Sequence, residues 1–261
     1  MSYDSLGDRM KGYEDISRIK LTSKLPVVIR LDGKAFHTYT RGLKRPYDET
    51  LMWVMNLTTL HLCNQVQNVK LAYTQSDEIS LILVDYADIK TSSWFDNNLQ
   101  KMVSVAAGMA SAFLTSRSAE IFGETRLATF DARAFVLPPN EVNNYLIWRQ
   151  QDWNRNSLSM LAQSLYSHKE LHGKGRAEQH ELCFKKGHNW ADLSSHLKDG
   201  RVAVKRQVEK EISEYKDVTF MGKRLEASDG PFRVVRSEWY IPEITPVFSA
   251  DREFANKLVM P

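Results

Sequence analysis

The sequence predicts an α+β fold: a β-α-β-β-α-β sheet with helices packed on it, followed by a mostly helical C-terminal half. Three observations carry this. Short runs rich in β-branched residues at 27–31, 69–74, 79–84 and 127–137 alternate with long stretches of helical periodicity at 48–64 and 94–121. A polar turn, Gln75-Ser76-Asp77, joins the second and third runs closely enough to make a hairpin. After Pro138-Pro139 helical spacing dominates.

Taken in order, residues 1–20 are charged, with apolar side chains at Leu6, Met10, Tyr13 and Ile16. That spacing predicts an amphipathic helix leading into the core. Lys24-Leu25-Pro26 breaks it, and the first strand follows over 27–31. Residues 32–47 read as a loop punctuated by Gly33, Gly42 and Pro46, carrying Lys34, His37, Arg41, Lys44 and Arg45. Asp48 is a natural N-cap for a helix over 48–64, with Leu51, Val54, Met55, Thr58 and Leu62 on one face.

The hairpin comes next, then a long helix over 94–121 that Gly123 ends. The fourth strand, 127–137, places Ala128, Phe130, Ala132, Ala134 and Val136 on one side and Asp131, Arg133 and Phe135 on the other. Helical segments over 140–153 and 158–171 follow, then the basic loop Gly173-Lys174-Gly175-Arg176. Residues 201–208 alternate basic and apolar and read as an edge strand. The tail from Trp239, with Pro242 and Pro246, reads as an extended segment and a short helix. The division expected is a catalytic domain over 1–137 and a C-terminal region over 138–261 packed on it.

The β-α-β-β-α-β order is the ferredoxin-like, split-βαβ arrangement. In it the first and third strands are antiparallel neighbours at the sheet centre. The end of one then lies beside the start of the other, which brings Asp32 to Asp77.

Composition narrows the class. The chain has 261 residues, 43% of them hydrophobic, enough for a substantial core. Net charge is +3, compatible with nucleic acid only as a local patch. Cys63 and Cys183 form no zinc-type pair, and a reducing, cytoplasmic setting is expected. No run of about 18 apolar residues exists to span a membrane.

The chemistry sits at the two strand ends. Two carboxylates on a rigid sheet can hold divalent metals against a triphosphate. Two-metal phosphoryl transfer needs ions about 3.5–4 Å apart, and shared carboxylates with a backbone carbonyl beside a glycine supply the hard oxygens. The basic loop after Asp32 suits neutralisation of triphosphate charge. Other motifs are weaker. His168 and His172 lack the glutamate of a zincin helix, Gly173-Lys174-Gly175-Arg176 lacks P-loop spacing, and Trp148 and Trp153 fit a helix core.

Four stretches carry a family resemblance: Arg30-Leu31-Asp32-Gly33-Lys34-Ala35-Phe36-His37, Arg45-Pro46-Tyr47-Asp48, Ala72-Tyr73-Thr74-Gln75-Ser76-Asp77-Glu78-Ile79-Ser80 and Phe130-Asp131-Ala132-Arg133. With Trp148-Arg149-Gln150-Gln151-Asp152, they resemble the tRNA-histidine guanylyltransferase family and its guanylyltransferase-like relatives, the 3′-to-5′ polymerases. The resemblance implies a polymerase-like palm and Mg²⁺-dependent nucleotide addition to a tRNA 5′ end, with ATP and GTP as substrates. It implies a homotetramer.

It further implies that Asp32, the Gly33 carbonyl and Asp77 hold two Mg²⁺, with Asp32, Asp77 and Glu78 catalytic. Residues Asp32, Gly33, Lys34, Ala35, Phe36, His37, Ser76 and Asp77 would line the nucleotide site. Arg30, Lys44, Arg45, Lys101 and Arg133 would contact triphosphate or RNA. Where eukaryotic anticodon-reading members carry His-Ile-Asn-Asn-Leu-Tyr-Asn, this chain has Asn154-Arg155-Asn156-Ser157-Leu158-Ser159-Met160. That departure favours templated repair of 5′-truncated tRNA over untemplated guanylate addition to tRNA-histidine. The rivals are a palm-type nucleotide cyclase and a non-catalytic tRNA-binding protein; intact Asp32, Asp77 and Glu78 argue against the latter.

Overall fold

The computed structural model describes residues 5–212, 218–220, 223–225 and 232–260. The elements in chain order are α1 (Leu6–Asp15), β1 (Val27–Gly33), α2 (Phe36–Tyr39), α3 (Glu49–Gln65), β2 (Val69–Gln75) and β3 (Glu78–Leu83). Then come α4 (Leu99–Phe122), β4 (Phe130–Val136), α5 (Val142–Leu165), α6 (His168–Leu171), α7 (Arg176–Lys185) and α8 (Ser195–Lys198). Last are β5 (Arg201–Ile212), β6 (Val218–Phe220), β7 (Lys223–Leu225), β8 (Phe232–Tyr240) and α9 (Asn256–Val259).

Strands β4-β1-β3-β2-β5-β8 form one sheet, antiparallel throughout. Its first four strands have the order expected of the β-α-β-β-α-β arrangement. Alternation along β1 sorts the two faces. Val27, Ile29 and Leu31 pack with α3 and α4, whereas Val28 packs beneath α5 with Tyr145, Leu146 and Phe248. Arg30 and Asp32 share the Val28 face, at the end of the strand where apolar residues stop.

Several expectations need correction. Helix α1 forms, capped by Ser5, but Leu6, Met10, Tyr13 and Ile16 are exposed. Among the described residues none buries its apolar stripe, so the helix does not lead into the core. The long helix begins at Leu99 rather than at Trp94. Phe95, Asp96 and Asn97 turn left-handed, and the Asn98 side chain accepts from the Lys101 N–H to cap the helix.

The fourth strand starts at Phe130, and residues 140–171 do not form two comparable helices. Helix α5 runs unbroken through Asn154–Ser157 because Ser157 is buried there, its hydroxyl accepting from the Trp190 indole N–H at 2.8 Å. The C-terminal half is less helical than expected, since β5 and β8 extend the sheet. Strand β5 is not an edge: β2 pairs one side and β8 the other. Among the described residues no helix is long and apolar enough to cross a membrane.

Candidate active site

The register carries the site. Asp32 pairs across β1 with Glu78 on β3 and with Asp131 on β4. Only two residues, Ser76 and Asp77, join β2 to β3, so Asp77 leaves the hairpin one residue before that row. Sequence-distant Asp32 and Asp77 thereby line one cavity of about 450 Å³, together with Gln75, Glu78, Arg149 and Asp152.

Local backbone geometry sharpens this. Ser76 (φ 44°) and Ala35 (φ 54°) are both left-handed without being glycine. Such residues are uncommon and concentrate where surrounding structure enforces a functional turn. Gly33 has a steric reason. A Cβ there would stand 2.3 Å from the Phe36 ring. Phe36 is itself buried against Tyr39 and Phe130. The glycine lets the chain turn tightly over that ring, leaving its carbonyl beside Asp32.

Burial pushes the Asp77 carboxyl up to about 6, partly offset by its own backbone N–H and the Ser76 hydroxyl, with the charges of Asp32 and Glu78 pushing the same way as burial. A cation beside it would relieve both causes. Among the described residues no cluster of three or more His, Cys, Asp or Glu is arranged to hold a metal. The donors at hand are the Asp32 and Asp77 carboxylates and the Gly33 carbonyl, hard oxygens without imidazole or thiolate. That set fits Mg²⁺ whose remaining positions are filled by water and phosphate oxygens.

Glu78 is differently engaged. Buried Arg149 donates to both its oxygens, Nε to Oε1 at 2.7 Å and Nη2 to Oε2 at 2.9 Å. Arg149 also reaches Asp152 at 2.9 Å and lies 4.3 Å over the Trp148 ring. This fork ties α5 to the first residue of β3.

A second cavity, about 580 Å³, adjoins the first and shares Ser76, Asp77, Trp153, Met160 and Gln163 with it. Its walls include Gly33, Ala35, Phe36, His37, Lys44 and Arg45. Asp48 caps α3 beside it, accepting from the Leu51 N–H at 2.9 Å. The Tyr47 hydroxyl anchors the loop by donating to the Ser157 carbonyl at 2.8 Å.

Four sequence candidates lie outside both cavities. The Lys34 side chain is exposed, while its backbone N–H donates to the Thr129 carbonyl. Arg30 and Arg133 are cross-strand partners one row back from Asp32, Arg30 over Trp148 and Arg133 paired with Asp131. Lys101 is at the other end of the sheet. It starts α4, whereas Ser111, about 15 Å further along the axis, is the residue that meets Phe130 at the site end.

Conversely, the sequence reading missed Arg149, Asp152, Asn156, Ser159 and Gln163, which line the first cavity. Their three- and four-residue spacing on α5 was the available signal; dividing that helix near residue 157 hid it. Arg201 was missed too. Its alternating strand gave no reason to expect a buried cation.

A cavity with paired, cation-seeking carboxylates, opening into one with a basic rim, defines a protein that handles phosphorylated substrates. A family model described as Thg1, tRNAHis guanylyltransferase, matches residues 7–138. A solved bacterial tRNA(His) guanylyltransferase (Thg1)-like protein in complex with ATP is 39% identical, covering 98% of this chain and 100% of its own, with TM-score 0.84. Another with that description, in complex with GTP, is 38% identical over 99% of this chain and 100% of its own, with TM-score 0.76. The probable tRNA(His) guanylyltransferase of Dictyostelium discoideum is 27% identical over 76% of this chain and 82% of its own. The chain belongs to the tRNAHis guanylyltransferase family of nucleotidyltransferases.

Proposed function

We propose that the protein adds nucleotides in the 3′-to-5′ direction to the 5′ end of tRNA, templated by the opposite strand, and so repairs 5′-truncated tRNA. The observation that carries the reading is the meeting of Asp32 and Asp77 in one cavity. The incoming nucleotide's 3′-hydroxyl attacks the activated 5′ phosphate of the tRNA, forming the phosphodiester and releasing pyrophosphate from a triphosphate end or the nucleoside monophosphate from an ATP- or GTP-activated end. ATP or GTP serves in activation, and relatives in complex with each support that.

In this reading Asp32, the Gly33 carbonyl and Asp77 hold two Mg²⁺ in a polymerase-like palm. The ions supply Lewis-acid stabilisation of charge on the phosphates. The chain itself does the positioning. Residues 33–37 with Ser76 cradle the nucleotide, and Lys44 and Arg45 attract its phosphates to the rim of the second cavity. Glu78, held by Arg149, fixes the turn that presents Asp77. Arg30 and Arg133 face RNA, and Lys101, remote within one chain, serves an RNA contact away from this cavity. Residues 1–137 form the catalytic domain, and 138–261 pack on it for RNA and oligomer contacts. The uncovered stripe of α1 supports a homotetramer, and two buried free cysteines suit a cytoplasmic setting.

Templated repair is favoured over guanylate addition to tRNA-histidine because residues 154–160 depart from the anticodon-reading motif. Here α5 instead turns Asn156, Ser159 and Met160 toward the first cavity. The test uses purified protein with Mg²⁺, ATP and labelled GTP on two substrates: a tRNA lacking its first paired 5′ nucleotide, and full-length tRNA-histidine. Faster incorporation on the truncated tRNA, dictated by the opposite base, is expected. Preferred single guanylate addition to tRNA-histidine would install the narrower activity. Incorporation on neither substrate, with a product formed from NTP alone, would indicate a cyclase. Asp32→Ala and Asp77→Ala should each lower incorporation by about two orders of magnitude or more.

A further inference from the structure

Arg201 opens β5 opposite Thr74 on β2 and is only 1% exposed. Arg201 is one of the residues lining the second cavity. Nε and Nη2 are both buried and have no hydrogen-bond partner among the described residues. Burial draws the Arg201 pKa down to about 10, leaving it a cation at neutral pH, and the neighbouring Tyr73 hydroxyl, itself kept protonated by burial, brings no counter-charge. The Tyr73 hydroxyl donates to the Asp199 carbonyl at 2.9 Å and accepts no hydrogen bond from Nε or Nη2.

A guanidinium buried without a counter-charge is among the most expensive arrangements in a protein interior. The other buried arginine of this chain shows the contrast: Arg149 has Glu78 and Asp152. Around Arg201 the remaining ionised groups of the cavity are Lys44 and Arg45 at its rim, Asp48, and Asp77 at the shared mouth. Asp48 is spent on the α3 cap. Among the described residues, neither Asp48 nor Asp77 is hydrogen-bonded to Nε or Nη2 of Arg201.

From this geometry we infer that Arg201 is a phosphate-binding residue, the floor of the second cavity taking a phosphoryl group of a nucleotide or of an RNA 5′ end. A planar guanidinium gives two parallel N–H donors matched to two phosphoryl oxygens, and the anion supplies the missing charge. The position lies beyond the paired carboxylates, connected to them through Ser76 and Asp77. It deepens the nucleotide-transfer reading and rests on it for which phosphate arrives, but binding is measured without turnover.

The experiment uses the full chain in metal-free buffer, wild type against Arg201→Met and Arg201→Lys. Thermal shift and calorimetry are run with inorganic tripolyphosphate, GTP, guanosine, and a short oligoribonucleotide with a 5′ phosphate or a 5′ hydroxyl. Arg201→Met should melt at or above wild type without ligand, because an apolar side chain of similar length removes an unpaired charge. It should bind tripolyphosphate and GTP roughly tenfold or more weakly, with guanosine unchanged. Arg201→Lys, a point charge without the fork, should fall between. A drop confined to the 5′-phosphorylated RNA would support the inference with RNA as the source.

Three outcomes would overturn it. Tripolyphosphate and the 5′-phosphorylated RNA could both bind wild type and Arg201→Met alike. Guanosine affinity could fall with GTP while tripolyphosphate is kept, making Arg201 a reader of the base. Arg201→Met could melt several degrees lower with phosphate binding intact, making the residue structural. Asp77→Asn separates the two readings: if it kept full incorporation, nucleotide transfer at the paired carboxylates would fail while the Arg201 measurement stood.

Discussion

Removing Arg149 tests the internal support of the site. Its guanidinium is 7% exposed and makes three charge-assisted hydrogen bonds of 2.7–2.9 Å to Glu78 and Asp152. Arg149→Met keeps the stem packed on Trp148 but leaves buried Glu78 without its cation, while Asp152 keeps only its 2.9 Å pair with exposed Arg155. Asp32 and Asp77 line the same cavity, so four acidic groups would then face one another. Breaking a buried pair by deleting one partner costs about 3–5 kcal/mol, because the survivor remains buried and charged. For a chain of this size that is a fall in Tm of about 6–20 °C.

The assay is thermal or urea denaturation in metal-free buffer, with Arg149→Met, Glu78→Gln and the double variant. Neutralising Glu78 in the Arg149→Met background should recover more than about 1 kcal/mol, because the two groups are in direct contact. A loss below about 1 kcal/mol for Arg149→Met, the value of an exposed pair, would refute the reasoning. So would additivity of the two single variants.

Other consequences can be checked alongside. Gly33→Ala should abolish incorporation and lower stability by about 1–3 kcal/mol, since its Cβ would fall 2.3 Å from the Phe36 ring; activity assays and melting curves read both. Tyr145→Phe should cost about 1 kcal/mol in urea denaturation through loss of its buried 2.7 Å hydrogen bond with Ser80. In metal-free protein, Asp77 binds its proton more tightly folded (about 6) than at its ordinary value of 3.8. Its stabilising contribution is therefore fully present below about pH 4 and lost as pH rises through about 6. Asp77→Asn should flatten that slope in a pH series of melts.

Much of the sheet was legible because its signals are local. Apolar runs rich in β-branched residues at 27–31 and 79–84, a tight polar turn, and helical crossovers of sufficient length leave few topologies open. Once β1 and β3 are neighbours, Asp32 and Asp77 must meet, and they line one cavity. The Asp48 cap was equally local: one side chain and a backbone N–H three residues on.

Periodicity and chain connectivity are thus enough to specify the β-α-β-β-α-β order and the two carboxylate-bearing strand ends. The remaining features exist only once distant segments have packed. Whether an amphipathic stripe is covered depends on what else folds against it, and among the described residues nothing covers that of α1. Whether Glu78 is free depends on Arg149, 71 residues away. That β5 is interior depends on β2 and β8 pairing with it from both sides. Arg201 is one basic residue in an alternating strand until burial strips away its water, and burial is a property of the assembled fold rather than of any segment.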